Sequence, residues 1–145
     1  KNPNAAPTDF MKLAEIYVNK AKKDPAKKIE NIDKAIGVYA KLSEKYPTLK
    51  TFAKLQEGNT AFQNELDDKA IAAYTEVINE LEAKQCDEDE LSYLKTSYQY
   101  MGFIYTYDKQ DFNTAKPYWD KLLKLDPQNK LANDAYEKAG LKPGE

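Results

Sequence analysis

Arginine and histidine are absent from this chain of 145 residues, and cysteine and tryptophan occur once each. Without arginine, the planar fork that most often holds guanine, phosphate and paired carboxylates is missing. Without histidine, so is the usual general base near neutral pH. Cys86 alone forms neither a disulfide framework nor a paired-cysteine zinc site, and no imidazole stands by to activate its thiol. An excess of one charge is missing too. The 22 basic residues, all lysine, face 24 acidic ones, and a net charge of −2 gives no field to draw nucleic acid or an anionic membrane. No apolar run approaches the roughly 20 residues of a membrane span, so no membrane insertion is expected. No signal sequence is visible, and the chain opens at Lys1 instead of a methionine. It reads as part of a longer protein, with any leader or further repeats upstream.

What is present is repetition. An apolar content of 41% suffices for a core. Three times a small residue is followed four positions on by an aromatic: Ala35 and Tyr39, Ala70 and Tyr74, Ala115 and Trp119. Phe10-x-x-Leu13-Ala14-x-x-Tyr17 precedes the first pair, Gly58-x-x-Ala61 the second and Tyr98-x-x-Met101-Gly102-x-x-Tyr105 the third. Pro47 and Pro127 stand at matching places after the first and third pairs, and Glu82 takes that place after the second. Apolar residues recur at helical spacing and never alternate, so we expect helices and no strands.

The expected helices run from Asp9 to Lys23, with Phe10, Leu13, Ala14 and Tyr17 on one buried stripe; from Asp24-Pro25 to Pro47; and from Leu49 to Asn64. A fourth runs from Asp68 to Ala83 and a fifth from Glu88 to Tyr107. A sixth is either delayed to Asn113 or bent by Pro117, and a seventh opens at Asp126-Pro127 and stops at Gly140. Met11 and Val18 are expected to point away from the first helix's stripe, toward upstream repeats or a partner chain. Glu88, Asp89 and Glu90 read as helix-start charges, since the ligand and glycine spacing of a calcium loop is missing. Small residues let paired helices approach to about 8–10 Å. Ala35, Ala70 and Ala115 fit that role opposite Ala14, Gly58 and Gly102, while Tyr39, Tyr74 and Trp119 would fill the wedge toward the neighbouring pair.

These residues carry a resemblance. The third unit, with Tyr98, Met101, Gly102, Tyr105, Ala115, Trp119 and Pro127, is similar to a tetratricopeptide repeat with one extra residue in its turn. The second, Gly58-Asn59-Thr60-Ala61-Phe62 followed by Asp68-Lys69-Ala70-Ile71-x-x-Tyr74-Thr75, resembles the same family, with departures at Lys54, Glu57 and Glu82. The first matches within each helix but has extra residues between Tyr17 and Ala35.

The resemblance implies an all-α, α-α superhelical domain over residues 1–145. Its repeat units would span roughly 8–47, 48–83 and 88–127, with a capping helix over 128–140. It implies a non-enzymatic scaffold, with no cofactor and no metal, that binds a protein or peptide segment in a concave groove. Phasing on Gly58 and Gly102 places Asn59, Phe62, Gln63, Gln99, Phe103, Thr106 and Tyr107 along that groove. Phe62 and Phe103 have a plainer reading as half-buried packing between repeats. The family's clamp for terminal carboxylates is not expected, because its lysine place is Leu55 and arginine is absent. The third unit is particularly similar to tetratricopeptide proteins of bacterial cell envelopes, which points to an envelope or periplasmic setting. The alternative function is structural: the closing end of a longer array, used for assembly or self-association. An enzyme would have to rest on Asp, Glu, Lys and Tyr alone, and no spacing singles out a pair.

Overall fold

The computed structural model describes residues 4–145. Among the described residues seven α-helices form: α1 Pro7–Lys23, α2 Lys28–Lys45, α3 Lys50–Gln63, α4 Asp67–Glu82, α5 Glu88–Phe103, α6 Phe112–Leu125 and α7 Lys130–Lys138. No strand occurs among the described residues. The fold is all-α, and its hairpin packing is compatible with an α-α superhelix. The contacts gather into two compact units, Lys1–Glu76 and Val77–Glu145, and the division falls inside α4.

Several helix ends differ from expectation for reasons of capping. α1 starts at Pro7, ahead of Asp9, because proline suits the first helical position and the Asp9 carboxylate reaches back to accept the Ala6 N–H at 2.8 Å. Asp24-Pro25 does not cap α2. Pro25–Lys27 form a separate 3₁₀ turn, and the Asp24 side chain makes no capping bond. Asp126-Pro127 does not cap α7 either; that helix is opened by Asn129, whose Oδ1 accepts the Ala132 N–H at 3.0 Å. α6 begins at Phe112, where the Asp111 carboxylate accepts the Thr114 N–H at 3.1 Å, and it runs on through Pro117.

The fifth helix departs most. Its α-helical part ends at Phe103, and Ile104–Asp108 form a π-helix closed by the Lys109 N–H donating to the Ile104 carbonyl at 2.9 Å. Glu65 and Gln110, with φ of 62° and 52°, end the first helix of the second and third hairpins in the left-handed region. Counted from Gly58 and Gly102, Gln110 comes one residue later than Glu65. The widened turn absorbs that residue while both helix faces keep their phase.

In the first unit, Ala14 of α1 meets Ala35, Val38, Tyr39 and Leu42 of α2 and Ala53 of α3, with Phe10, Tyr17 and Val18 packed around them. The stripe of α1 thus runs through Phe10, Ala14, Tyr17, Val18 and Ala21, which corrects two expectations. Leu13 is 42% exposed, and Val18 packs inward. α1 packs chiefly on α2, so only a narrow arc of its surface is covered and Leu13 falls past its edge. The α3/α4 crossing depends on Gly58, where an added Cβ would lie 2.8 Å from the Tyr74 ring. The buried aromatic therefore sits on the glycine of its own hairpin.

The second unit repeats this arrangement with a larger ring. Trp119 of α6 is fully buried against Gly102 of α5, and its indole N–H donates to Thr106 Oγ1 at 2.8 Å. Tyr136 of α7 is buried edge-on to Phe112 and donates to Asp120. Glu82 ends α4 by accepting from the Tyr98 hydroxyl at 2.5 Å and from Lys121 Nζ at 2.8 Å. Burial opposes its charge, but the Lys121 and Tyr98 bonds outweigh burial and hold the carboxyl below its ordinary value of 4.5. The stability this group adds is present above that value and lost as pH falls through the lowered one. Glu82→Gln should therefore be less stable than the parent at pH 7. Urea midpoints of the two proteins should converge as pH drops below the carboxylate range, and a gap independent of pH would refute the assignment.

Candidate functional site

The expected groove residues divide between the two units. In the first, Asn59 on α3 is half-buried, and its Oδ1 accepts from the Tyr74 hydroxyl at 2.7 Å. That bond fixes the ring lying on Gly58, so Asn59 serves the hairpin itself. Phe62 is half-buried near the end of α3, and Gln63, the last residue of that helix, is exposed.

In the second unit, Gln99 Oε1 accepts from Asn129 Nδ2 at 3.1 Å, tying α5 to the cap of α7. Thr106 holds the Trp119 indole and is likewise engaged inside the fold. Phe103 and Tyr107 differ: both are half-buried, with ring centroids 4.8 Å apart and planes tilted by 47°. Lys138 Nζ lies 4.8 Å from the Tyr107 ring centre, a cation–π distance. No described residue hydrogen-bonds the Tyr107 hydroxyl. A second half-buried pair, Tyr105 and Tyr118, stacks with planes 2° apart and centroids at 6.2 Å.

The π turn is the local cause of this aromatic display. One widened turn places Tyr105, Thr106 and Tyr107 successively around the helix end: Thr106 inward to Trp119, Tyr105 to Tyr118, and Tyr107 to Phe103 and Lys138. Such a surface can stack against or hydrogen-bond a peptide, since a phenol offers wide apolar contact and a polar tip.

Sequence reasoning missed a charged cluster on α3. Glu57 is only 8% exposed, and Lys54 spans between its carboxylate at 2.9 Å and that of Glu76 at 3.0 Å. Burial pushes the Glu57 carboxyl up against the pull of Lys54. These three residues line a cleft of about 200 Å³ with Ile36, Lys69 and Ala73. The sequence signal was the opposite-charge pair Lys54 and Glu57, three residues apart on one helical face. Lys69 is already paired to Asp33 at 2.9 Å, so Lys54 alone faces the two carboxylates of Glu57 and Glu76.

Cys86 is not poised for chemistry: burial raises its thiol, and the sulfur lies 3.3 Å from the Leu81 carbonyl oxygen. No group of three or more acidic or cysteine side chains among the described residues is placed to hold a metal ion. No helix among them is long and apolar enough to cross a membrane. Set against known proteins, the chain matches no family model, no curated protein and no solved structure.

Proposed function

We propose that this chain is a tetratricopeptide-like scaffold without enzymatic activity that binds a neutral or apolar peptide segment on the aromatic end of α5. The observation that carries the reading is the half-exposed Phe103–Tyr107 pair beside a phenol hydroxyl with no partner among the described residues. Support also comes from the repeated small-on-aromatic crossings at Gly58 and Gly102. Without arginine, a planar carboxylate or phosphate anchor at this surface is disfavoured, whereas tyrosine gives contact area at low entropy cost. Gln99 and Thr106 act as supports that hold α7 and Trp119, so the contact falls to Phe103 and Tyr107.

Peptides selected from a random displayed library for binding to the whole chain should perturb the amide resonances of Phe103 and Tyr107. Tyr107→Ala should weaken them by about 1–3 kcal/mol, the range of ordinary interface anchors, while circular dichroism stays unchanged. Selected peptides that bind a folded Tyr107→Ala variant as tightly as the parent would remove the site from this surface.

An assembly role is the second reading, and one observation favours it. Leu13 and Ile16, one helical turn apart on α1, are 42% and 49% exposed, and Met11 is 38% exposed. Self-association through them would appear as concentration-dependent sedimentation that Ile16→Lys abolishes.

A further inference from the structure

The turn between α1 and α2 forms a cleft of about 360 Å³ into which four lysines converge: Lys20, Lys23, Lys27 and Lys34. Lys20 and Lys34 Nζ both lie over the Tyr17 ring, 5.3 and 5.9 Å from its centre, so one aromatic face gathers two ammonium groups. Only Lys34 is neutralised, by Glu30 at 2.9 Å. Lys20, Lys23 and Lys27 have no ion-pair partner among the described residues. Asp24 and Glu30 also line the cleft and reduce its charge, leaving it net positive by two.

A second observation is independent of the charges. Asn31 also lines the cleft; the residue as a whole is only 7% exposed, no described residue hydrogen-bonds its side-chain amide, and the polar atoms of that amide reach solvent. Its amide supplies both a donor and an acceptor at the floor of a lysine-rimmed pocket.

We propose that this cleft binds an acidic peptide segment, with successive carboxylates on Lys20, Lys23 and Lys27 and a peptide or carboxylate oxygen accepting from the Asn31 amide. The cleft is too large for a single small anion and holds several separated cations, which matches a chain of carboxylates. Lysine binds as a compact point charge without the orienting fork of arginine, so recognition reads charge density and is strongly salt-sensitive. The site lies in the first unit and is chemically opposite to the Phe103–Tyr107 surface in the second.

Octaglutamate, inorganic phosphate, a short single-stranded oligonucleotide and octalysine should each be titrated into the whole isotope-labelled chain. Octaglutamate should shift resonances confined to residues 17–34 and lose most of its effect near 0.5 M salt, where charges are largely screened beyond about 4 Å. Lys23→Gln with Lys27→Gln should weaken it about tenfold or more, since each removes a hydrogen bond from a charged group. Lys95→Gln with Lys124→Gln should leave it unchanged. Asn31→Leu keeps every charge, and it should weaken octaglutamate severalfold in a chain whose helical circular dichroism matches the parent. Should Asn31→Leu lose helix, Asn31→Asp, which sets a carboxylate in the cleft, must weaken octaglutamate at least as much. Shifts spread over lysines in both units, equal loss in the Lys95 and Lys124 control, or phosphate or oligonucleotide binding the same residues more tightly than octaglutamate would each overturn the proposal.

Discussion

Gly102→Leu should lower the stability of the second unit by about 3 kcal/mol, at the upper end of what overpacking a close contact costs. Even a single added Cβ at Gly102 would sit 2.6 Å from two atoms of the Trp119 indole. That ring is fully buried and hydrogen-bonded to Thr106, so it cannot swing aside without giving up both contacts. Gly37 provides the comparison, because nothing lies within 4 Å of a Cβ built there. Gly37→Ala should raise stability by about 0.5–1 kcal/mol by favouring helix and restricting the unfolded chain. Urea unfolding followed by circular dichroism tests both at once. Equal midpoints for Gly102→Leu and the parent would mean that the α5/α6 crossing is not packed through this glycine.

Trp119→Ala should cost about 3–5 kcal/mol, the range for emptying a large aromatic site in a core. The indole is the largest fully buried side chain in the protein and holds Thr106 through its N–H. Its loss would leave a cavity bounded by Gly102, which has no side chain to fill it. The two sites should be coupled. In the Trp119→Ala background, Gly102→Ala should cost far less than in the parent, because the ring it would strike is gone. Simple additivity of the two losses in a double-mutant cycle would contradict direct contact between them.

Both results depend on pairs that the sequence already displays. Gly102 precedes Trp119 just as Gly58 precedes Tyr74, and helical spacing places each glycine on the face of its helix that meets the next. Which partner the glycine meets is another matter. The sequence suggested the alanine of the following helix opposite the glycine, with the aromatic turned toward the next hairpin. The structure lays the ring on the glycine itself. An alanine–glycine crossing leaves the helices only backbone and a methyl to pack, whereas a ring over glycine buries far more apolar area at the same approach.

The candidate site was legible to a lesser degree. Seven positions follow from phasing on the glycines, but phasing cannot tell an offered side chain from one held inside. Asn59 is bonded to Tyr74, 15 residues on, and Gln99 to Asn129, 30 residues on. Such partners are set by how helices cross and leave no local trace. The lysine cleft shows the same division. Lys20, Lys23, Lys27 and Lys34 crowd a short stretch around Asp24-Pro25 and would pass for a solvated turn. The mostly buried Asn31, its amide facing into the cleft lining, is placed there only once α1 and α2 are packed.

By itself, the sequence determined the all-helical class, the hairpin order, the seven helices and the small and aromatic residues at their crossings. All of these follow from the period of apolar residues and from glycine and proline punctuation, which act over one or two helical turns. Tertiary structure alone decided three further things. It exposed Leu13 and buried Val18, because the packing of α1 chiefly on α2 covers only a narrow arc. It turned the end of α5 into a π-helix, because one surplus residue had to be absorbed without rotating Gly102 off Trp119. It also divided the groove candidates into supports and offered surface, because hydrogen bonds between helices are set by distances that no sequence interval encodes.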